Sequence, residues 1–212
     1  MTAASIVLAG LGLVSGGLAI VSDRKGLRRP FLIFKPLATL LIVLAALAAP
    51  VPVPTAYKAF IVAGLVCSLA GDIALMFPER GFRLGLVFFL AVQVLYILAF
   101  RPGPGRTASV GLLLPFMIYG LLMFGMLAPG LGALRIPVFV YVAAITAMAW
   151  LAAGRFIELG GLKPLLAFAG AILFLISDSV LAYDRFGKKI RLAQVLILGT
   201  YFPAQVLIAL SV

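Results

Sequence analysis

The run AGAILFLISDSVLAY, residues 169–183, is apolar enough to lie in lipid yet carries a carboxylate, Asp178. A second run, AGLVCSLAGDIALMF at 63–77, carries Asp72. At a constant offset of 106 positions, half of the 212-residue chain, Ala63 and Gly64 fall on Ala169 and Gly170, Asp72 on Asp178 and Leu75 on Leu181. The chain reads as two related halves, each burying one acid. A charged side chain deep in a bilayer is costly, so an acid kept there is by default a functional-site hypothesis.

A spanning helix needs about 20 mainly apolar residues. The chain offers about eight such segments, at 2–22, 31–49, 57–77, 83–100, 107–127, 136–153, 163–183 and 191–211. Short connections hold the breakers: Pro50, Pro52 and Pro54, then Pro78, Pro102 and Pro104, Pro129 and Gly130, and Gly160 and Gly161. With 65% apolar and 11% charged residues and a mean hydropathy of +1.26, the composition lies far from the roughly 25% charge of soluble domains. We expect an all-α polytopic membrane protein of about eight transmembrane helices in two four-helix halves, forming a single transmembrane domain over 1–212. The first apolar run has no basic residue before Arg24, which argues against a cleaved signal peptide.

The net charge of +11 comes from basic residues in short loops, so it is a topology signal and not a nucleic-acid footprint. The odd-numbered connections hold Arg24, Lys25, Arg28, Arg29, Lys35, Arg80, Arg83, Arg135, Arg185, Lys188, Lys189 and Arg191, against Lys58, Arg101, Arg106, Arg155 and Lys163 on the other side, 12 to 5. Both termini are expected outside the cytoplasm, in a bacterial inner membrane. On that topology Asp72 and Asp178 each lie five residues before the cytoplasmic end of a helix, roughly 8 Å deep at about 1.5 Å per residue.

Gly64, Ser68, Gly71 and Asp72 share a helical face, as do Gly170, Ser177 and Asp178, so both acids should point into the bundle. Other polar residues at depth are Gln93, Tyr96, Tyr119, Thr146, Tyr201 and Gln205, and AVQVL around Gln93 pairs with PAQVL around Gln205. A buried Gln can be interhelical glue as readily as a binding group. Lys35, just before Pro36 at a helix start, is a candidate phosphate contact or an interfacial anchor. Cys67 is the single cysteine and histidine is absent, which removes the common metal and Cys/His arrangements. No metal or cofactor is expected.

Two carboxylates brought together in low dielectric cannot both ionise cheaply, so the pair tends to share one proton. One then serves as acid and the other as anion. That division suits a reaction through an oxocarbenium-like cation, and equally suits proton-coupled transport.

The stretches KPLATLLIVLAAL (35–47), SLAGDIALMF (68–77), 93–100, SDSVLAYDRF (177–186) and YFPAQVLI (201–208) resemble the YhhN-like lysoplasmalogenase family of polytopic membrane proteins. The likeness covers nearly the whole chain. It implies hydrolysis of the vinyl ether bond of a lysoplasmalogen to a fatty aldehyde and glycerophosphocholine or glycerophosphoethanolamine, with Asp72 and Asp178 as the catalytic pair. Lys35, Gln93, Tyr96, Ser177, Tyr201 and Gln205 are the candidate substrate-binding residues, the partners being a lysophospholipid and the bilayer. The chain departs from the family pattern at Gln93, where histidine is expected, and at Asp184, where asparagine is. Aldehyde release separates this reading from a small transporter or lipid translocator. Function surviving loss of either acid would instead indicate a structural role.

Overall fold

The architecture comes from a computed structural model that describes residues 2–50, 53–103 and 110–212, with only the backbone of Pro78, Glu79 and Arg80. Pro52, Pro104, Arg106 and the first three residues of the expected 107–127 helix lie outside the described residues, as does the side chain of Arg80.

Eight helices among the described residues are long and apolar enough to cross a bilayer. Their α-helical segments are α1 (Ala3–Arg24), α2 (Arg28–Ala48), α3 (Thr55–Leu75), α4 (Pro78–Phe100), α5 (Leu113–Leu127), α6 (Arg135–Leu159), α7 (Leu162–Phe186) and α8 (Ala193–Leu210), with α5 continued at both ends by single 3-10 turns to span Val110–Gly130. The protein is thus an all-α polytopic membrane protein. Each end has a local cause. Thr2 caps α1 by accepting from the Ser5 amide at 3.1 Å while the Ser5 hydroxyl accepts from the Thr2 amide at 3.0 Å, a reciprocal capping box. The start of α4 uses Pro78 in its first turn, where the missing N–H costs nothing. Proline also pushes its predecessor out of helical geometry, and Phe77 sits at φ −121°, ψ 68°. For that reason α3 stops at Leu75, two residues short of the expected end.

Helix α7 runs three residues past the expected 183, and α6 runs six past the expected 153. Arg155 does not break it, because its guanidinium lies 4.4 Å over the Tyr57 ring and so keeps its charge partnered against an aromatic face. The helix ends instead at Gly160 and Gly161, whose φ values of +61° and +76° are costly for a residue with a side chain.

Bulky apolar side chains such as Ile6, Val7, Leu11 and Val14 face outward from α1, whereas Ala9 and Ala19 are buried. This inverts the soluble pattern, as it should where the solvent is lipid and helices approach through small residues. Gly71 shows the approach: a Cβ there would lie 2.8 Å from the Phe89 ring of α4.

The two halves correspond in packing over three of their four helices. The α3 and α4 pair has its counterpart in α7 and α8, α2 on α3 in α6 on α7, and α2 on α8 in α6 on α4. The first helices differ. α1 packs on α8, while α5 has no comparable contact with α4 among the described residues. This leaves α5 at the periphery, mostly exposed.

Candidate functional site

Two helices bring polar groups to the carboxylate of Asp72 on α3. On α2, Lys35 and Thr39 are one turn apart and share a face. Thr39 Oγ1 donates to Asp72 Oδ2 at 2.6 Å, and Tyr201 of α8 donates to the same oxygen at 2.8 Å. Lys35 Nζ stands 3.4 Å from Asp72 Oδ1 and 3.4 Å from the Asp72 carbonyl. Lys35 and Asp72 are only 4% and 2% exposed, so an ammonium and a carboxylate are held in the bundle as a pair, which is the usual condition for burying either.

The environment of Asp178 differs. Its Oδ2 accepts from the Tyr141 hydroxyl of α6, and no Lys or Arg among the described residues pairs with it. Gln93 is fully buried beside Tyr141. Asp178 itself is partly exposed, and the two acids are close enough to act on one another electrostatically.

Both carboxylates line one cavity of about 590 Å³. Lys35, Ser177 and Tyr201 line it at depth; Asp23, Arg28, Asp184, Arg185 and Lys189 surround its mouth, on the side of the α1–α2 and α7–α8 connections. A narrow pocket of about 60 Å³ shares Leu75, Phe82, Phe89, Asp178 and Leu181 with it and continues between α4, α5, α6 and α7 along Leu86, Met123, Val138 and Ile145. Asp178 therefore stands where a polar chamber meets an apolar slot.

Of the residues singled out in the sequence, Asp72, Asp178, Lys35, Ser177 and Tyr201 meet at this cavity. Ser177 is turned by its hydrogen bond to the Ile197 carbonyl at 3.0 Å. Gln93, Tyr96 and Gln205 do not line the cavity and are fully buried. Gln205 donates to Ser68 Oγ at 2.8 Å and accepts from the Tyr96 hydroxyl at 2.7 Å. This triad holds α3, α4 and α8 together one turn below Asp72, backed by Phe89, Phe174 and Tyr201 rings with centroids 5.7–6.2 Å apart. Asp184 lies at the mouth and accepts from Lys189 Nζ at 3.1 Å and the Ile190 amide at 2.8 Å.

Sequence reasoning missed Tyr141 and Thr39. A signal for Tyr141 was present: it lies at Lys35 plus 106, the same offset that pairs the acids. The repeat thus puts a cation beside one carboxylate and a phenol beside the other.

No solved structure matches this chain. Among curated proteins, the chain is similar to lysoplasmalogenase TMEM86A of Bos taurus, with 38% identity over 74% of this chain and 66% of the relative. It is similar also to lysoplasmalogenase TMEM86B of Sus scrofa, with 35% identity over 74% of this chain and 64% of that protein. The chain spans about two thirds of the length of these relatives. The uncharacterized membrane protein YhhN of Escherichia coli O157:H7 is 26% identical over 93% of this chain and 94% of its own length. Residues 31–212 match the YhhN family, and the chain belongs to that family.

Proposed function

We propose that the protein is a lysoplasmalogenase that cleaves a vinyl ether by acid catalysis with Asp178 as proton donor and Asp72 as the anion. The observation that carries the reading is the place of Asp178 at the junction of the polar cavity and the apolar slot. A lysoplasmalogen has its vinyl ether at the corresponding junction, between a polar headgroup and a hydrocarbon tail. The mammalian relatives named lysoplasmalogenases support the same substrate class.

The charges beside each acid divide the roles. A single proton shared between two carboxylates goes to the one without a cation. Asp72 has Lys35 at 3.4 Å and stays ionised, while Asp178, with only a phenol beside it, carries the proton. Asp178 transfers it to the β-carbon of the C=C bond, whose π electrons form the new C–H bond, and an oxocarbenium ion results. Asp72 faces that cation across the cavity and takes a proton from the attacking water. The hemiacetal so formed then loses its glycerol oxygen as a free hydroxyl and leaves the aldehyde. Asp72 then passes the proton it took from water back to Asp178 through the cavity, so the pair returns to its starting state.

Purified protein given a lysoplasmalogen should release fatty aldehyde and leave a diacyl or saturated-ether lipid untouched. Counterflow in proteoliposomes without aldehyde release would instead identify a transporter.

The cavity opens on the side where the basic connections lie, and we place this side in the cytoplasm, with both termini outside and the substrate drawn from the cytoplasmic leaflet. Lys35 belongs to the site and not to a loop, but the bias among the remaining basic residues keeps its sign. A C-terminal reporter active only in the cytoplasm should be silent in a bacterial host; strong activity from it reverses the orientation.

A further inference from the structure

The mouth of the cavity carries charges that the proposed reaction leaves unused. Asp23 lies in the last turn of α1, Arg28 opens α2 and Arg185 lies in the last turn of α7; all three are exposed and line the cavity. Lys189 and Asp184 are already engaged with one another. Arg185 is held in place with its guanidinium 4.7 Å over the Phe82 ring. Asp23 forms no ion pair with a described side chain, although it is the one acid in a connection that holds Arg24, Lys25, Arg28 and Arg29. A carboxylate facing the opening among cations is ill suited to a purely anionic ligand. It is well suited to a ligand that carries both signs.

We infer that Asp23 is the ammonium subsite for a zwitterionic lysophospholipid headgroup, whose phosphate is taken by Arg28 and Arg185. The assignment rests on the hydrolase reading for where the ether bond lies. From Lys35 at the floor to Arg28 at the mouth, seven residues of α2 rise roughly 10 Å. From the ether oxygen of a lysophospholipid to its ammonium runs a chain of nine bonds, also roughly 10 Å when extended at ordinary bond lengths. With the vinyl ether at Asp178, the phosphate falls between Lys35 and the rim, within reach of the long arginine side chains. The ammonium falls at the rim, where Asp23 is. Guanidinium forks suit phosphate oxygens, and an ammonium needs only an unengaged carboxylate. The specificity predicted is for phosphocholine or phosphoethanolamine over a bare phosphate monoester, which would bring a second negative charge toward Asp23.

The test uses full-length protein in nanodiscs and reads displacement of a fluorescent lysolipid by two saturated 1-O-alkyl lysolipids, one with a glycerophosphocholine and one with a glycerophosphate headgroup. Neither has a C=C bond, so neither turns over and the readout is binding alone. In Asp23→Asn the phosphocholine lipid should bind about fivefold more weakly, the scale of a single solvent-accessible ion pair, while the phosphate lipid binds as well as before or better. Arg185→Gln should weaken both lipids, by about tenfold. Asp23→Asn binding both lipids with wild-type affinity, or losing both alike, overturns the assignment. Headgroup-selective binding without aldehyde release from the vinyl ether lipid would remove the hydrolase and keep the subsite. Aldehyde release with an Asp23→Asn variant blind to the headgroup would do the reverse.

Discussion

Asp178→Asn should lower the turnover of a lysoplasmalogen by about 10²–10⁴, the usual worth of a positioned general acid, while the binding of a saturated-ether analogue changes little. Asparagine keeps the size of the side chain and can still accept from Tyr141, so the Asp178 pocket keeps its shape. What it lacks is the transferable proton. The variant therefore separates chemistry from binding: an interaction made only in the transition state lowers kcat and leaves the affinity for substrate intact. The wild-type protein should show a primary solvent isotope effect in single turnover, because protonation of carbon is the step in which the C–H bond forms. An Asp178→Asn protein with most of its activity, or a wild-type single-turnover rate insensitive to solvent deuterium, removes Asp178 from the role of acid.

The two acids were legible in sequence because an ionisable group in an apolar run stands out against its background, and the 106-residue offset paired them. Tyr141 was not, since tyrosine is ordinary in a membrane helix and only its register with Lys35 marks it. The polar residues at Gln93, Tyr96 and Gln205 show a different limit. Periodicity places Tyr201 and Gln205 on one face of α8, but it does not say how deep the cavity reaches. Along α3 and α8, which run antiparallel, Asp72 meets Tyr201 and Ser68 meets Gln205, one turn of each helix further in. The cavity floor falls between these two layers. Above it polar groups face solvent and substrate; below it Tyr96 and Gln205 are interhelical glue. The distances of the acids from their helix ends also differ from the equal spacing expected, since Asp72 lies three residues before the end of α3 and Asp178 eight before the end of α7. The proline after α3 and the absence of a breaker before Gly187 account for the difference.

The second large effect concerns the Lys35–Asp72 pair, and it distinguishes an electrostatic role from a packing role. Asp72→Asn should leave the Lys35 ammonium buried without a countercharge, and Lys35→Met should leave the Asp72 carboxylate in the same position. Breaking a buried pair on one side costs about 3–5 kcal/mol, so each single variant should show a clearly lowered thermal midpoint. In the double variant Lys35→Met/Asp72→Asn neither charge remains, and the amide can still accept from Thr39 and Tyr201, which now donate to Asp72 Oδ2. Its thermal midpoint should return close to that of the wild-type protein, because replacing both members of a buried ion pair is often neutral. Turnover should not return with it. The double variant has a folded cavity and an intact Asp178, yet nothing to steady the oxocarbenium ion or to take the proton of the attacking water. It also has no anion near Asp178 to favour the protonated form of that acid, so the acid is deprived of the partner that sets its state. A double variant that regains both stability and aldehyde release would show that Lys35 and Asp72 do no more than hold α2 against α3. Recovery of the thermal midpoint alone, with turnover still lost, is the outcome that the division of roles between the two halves requires.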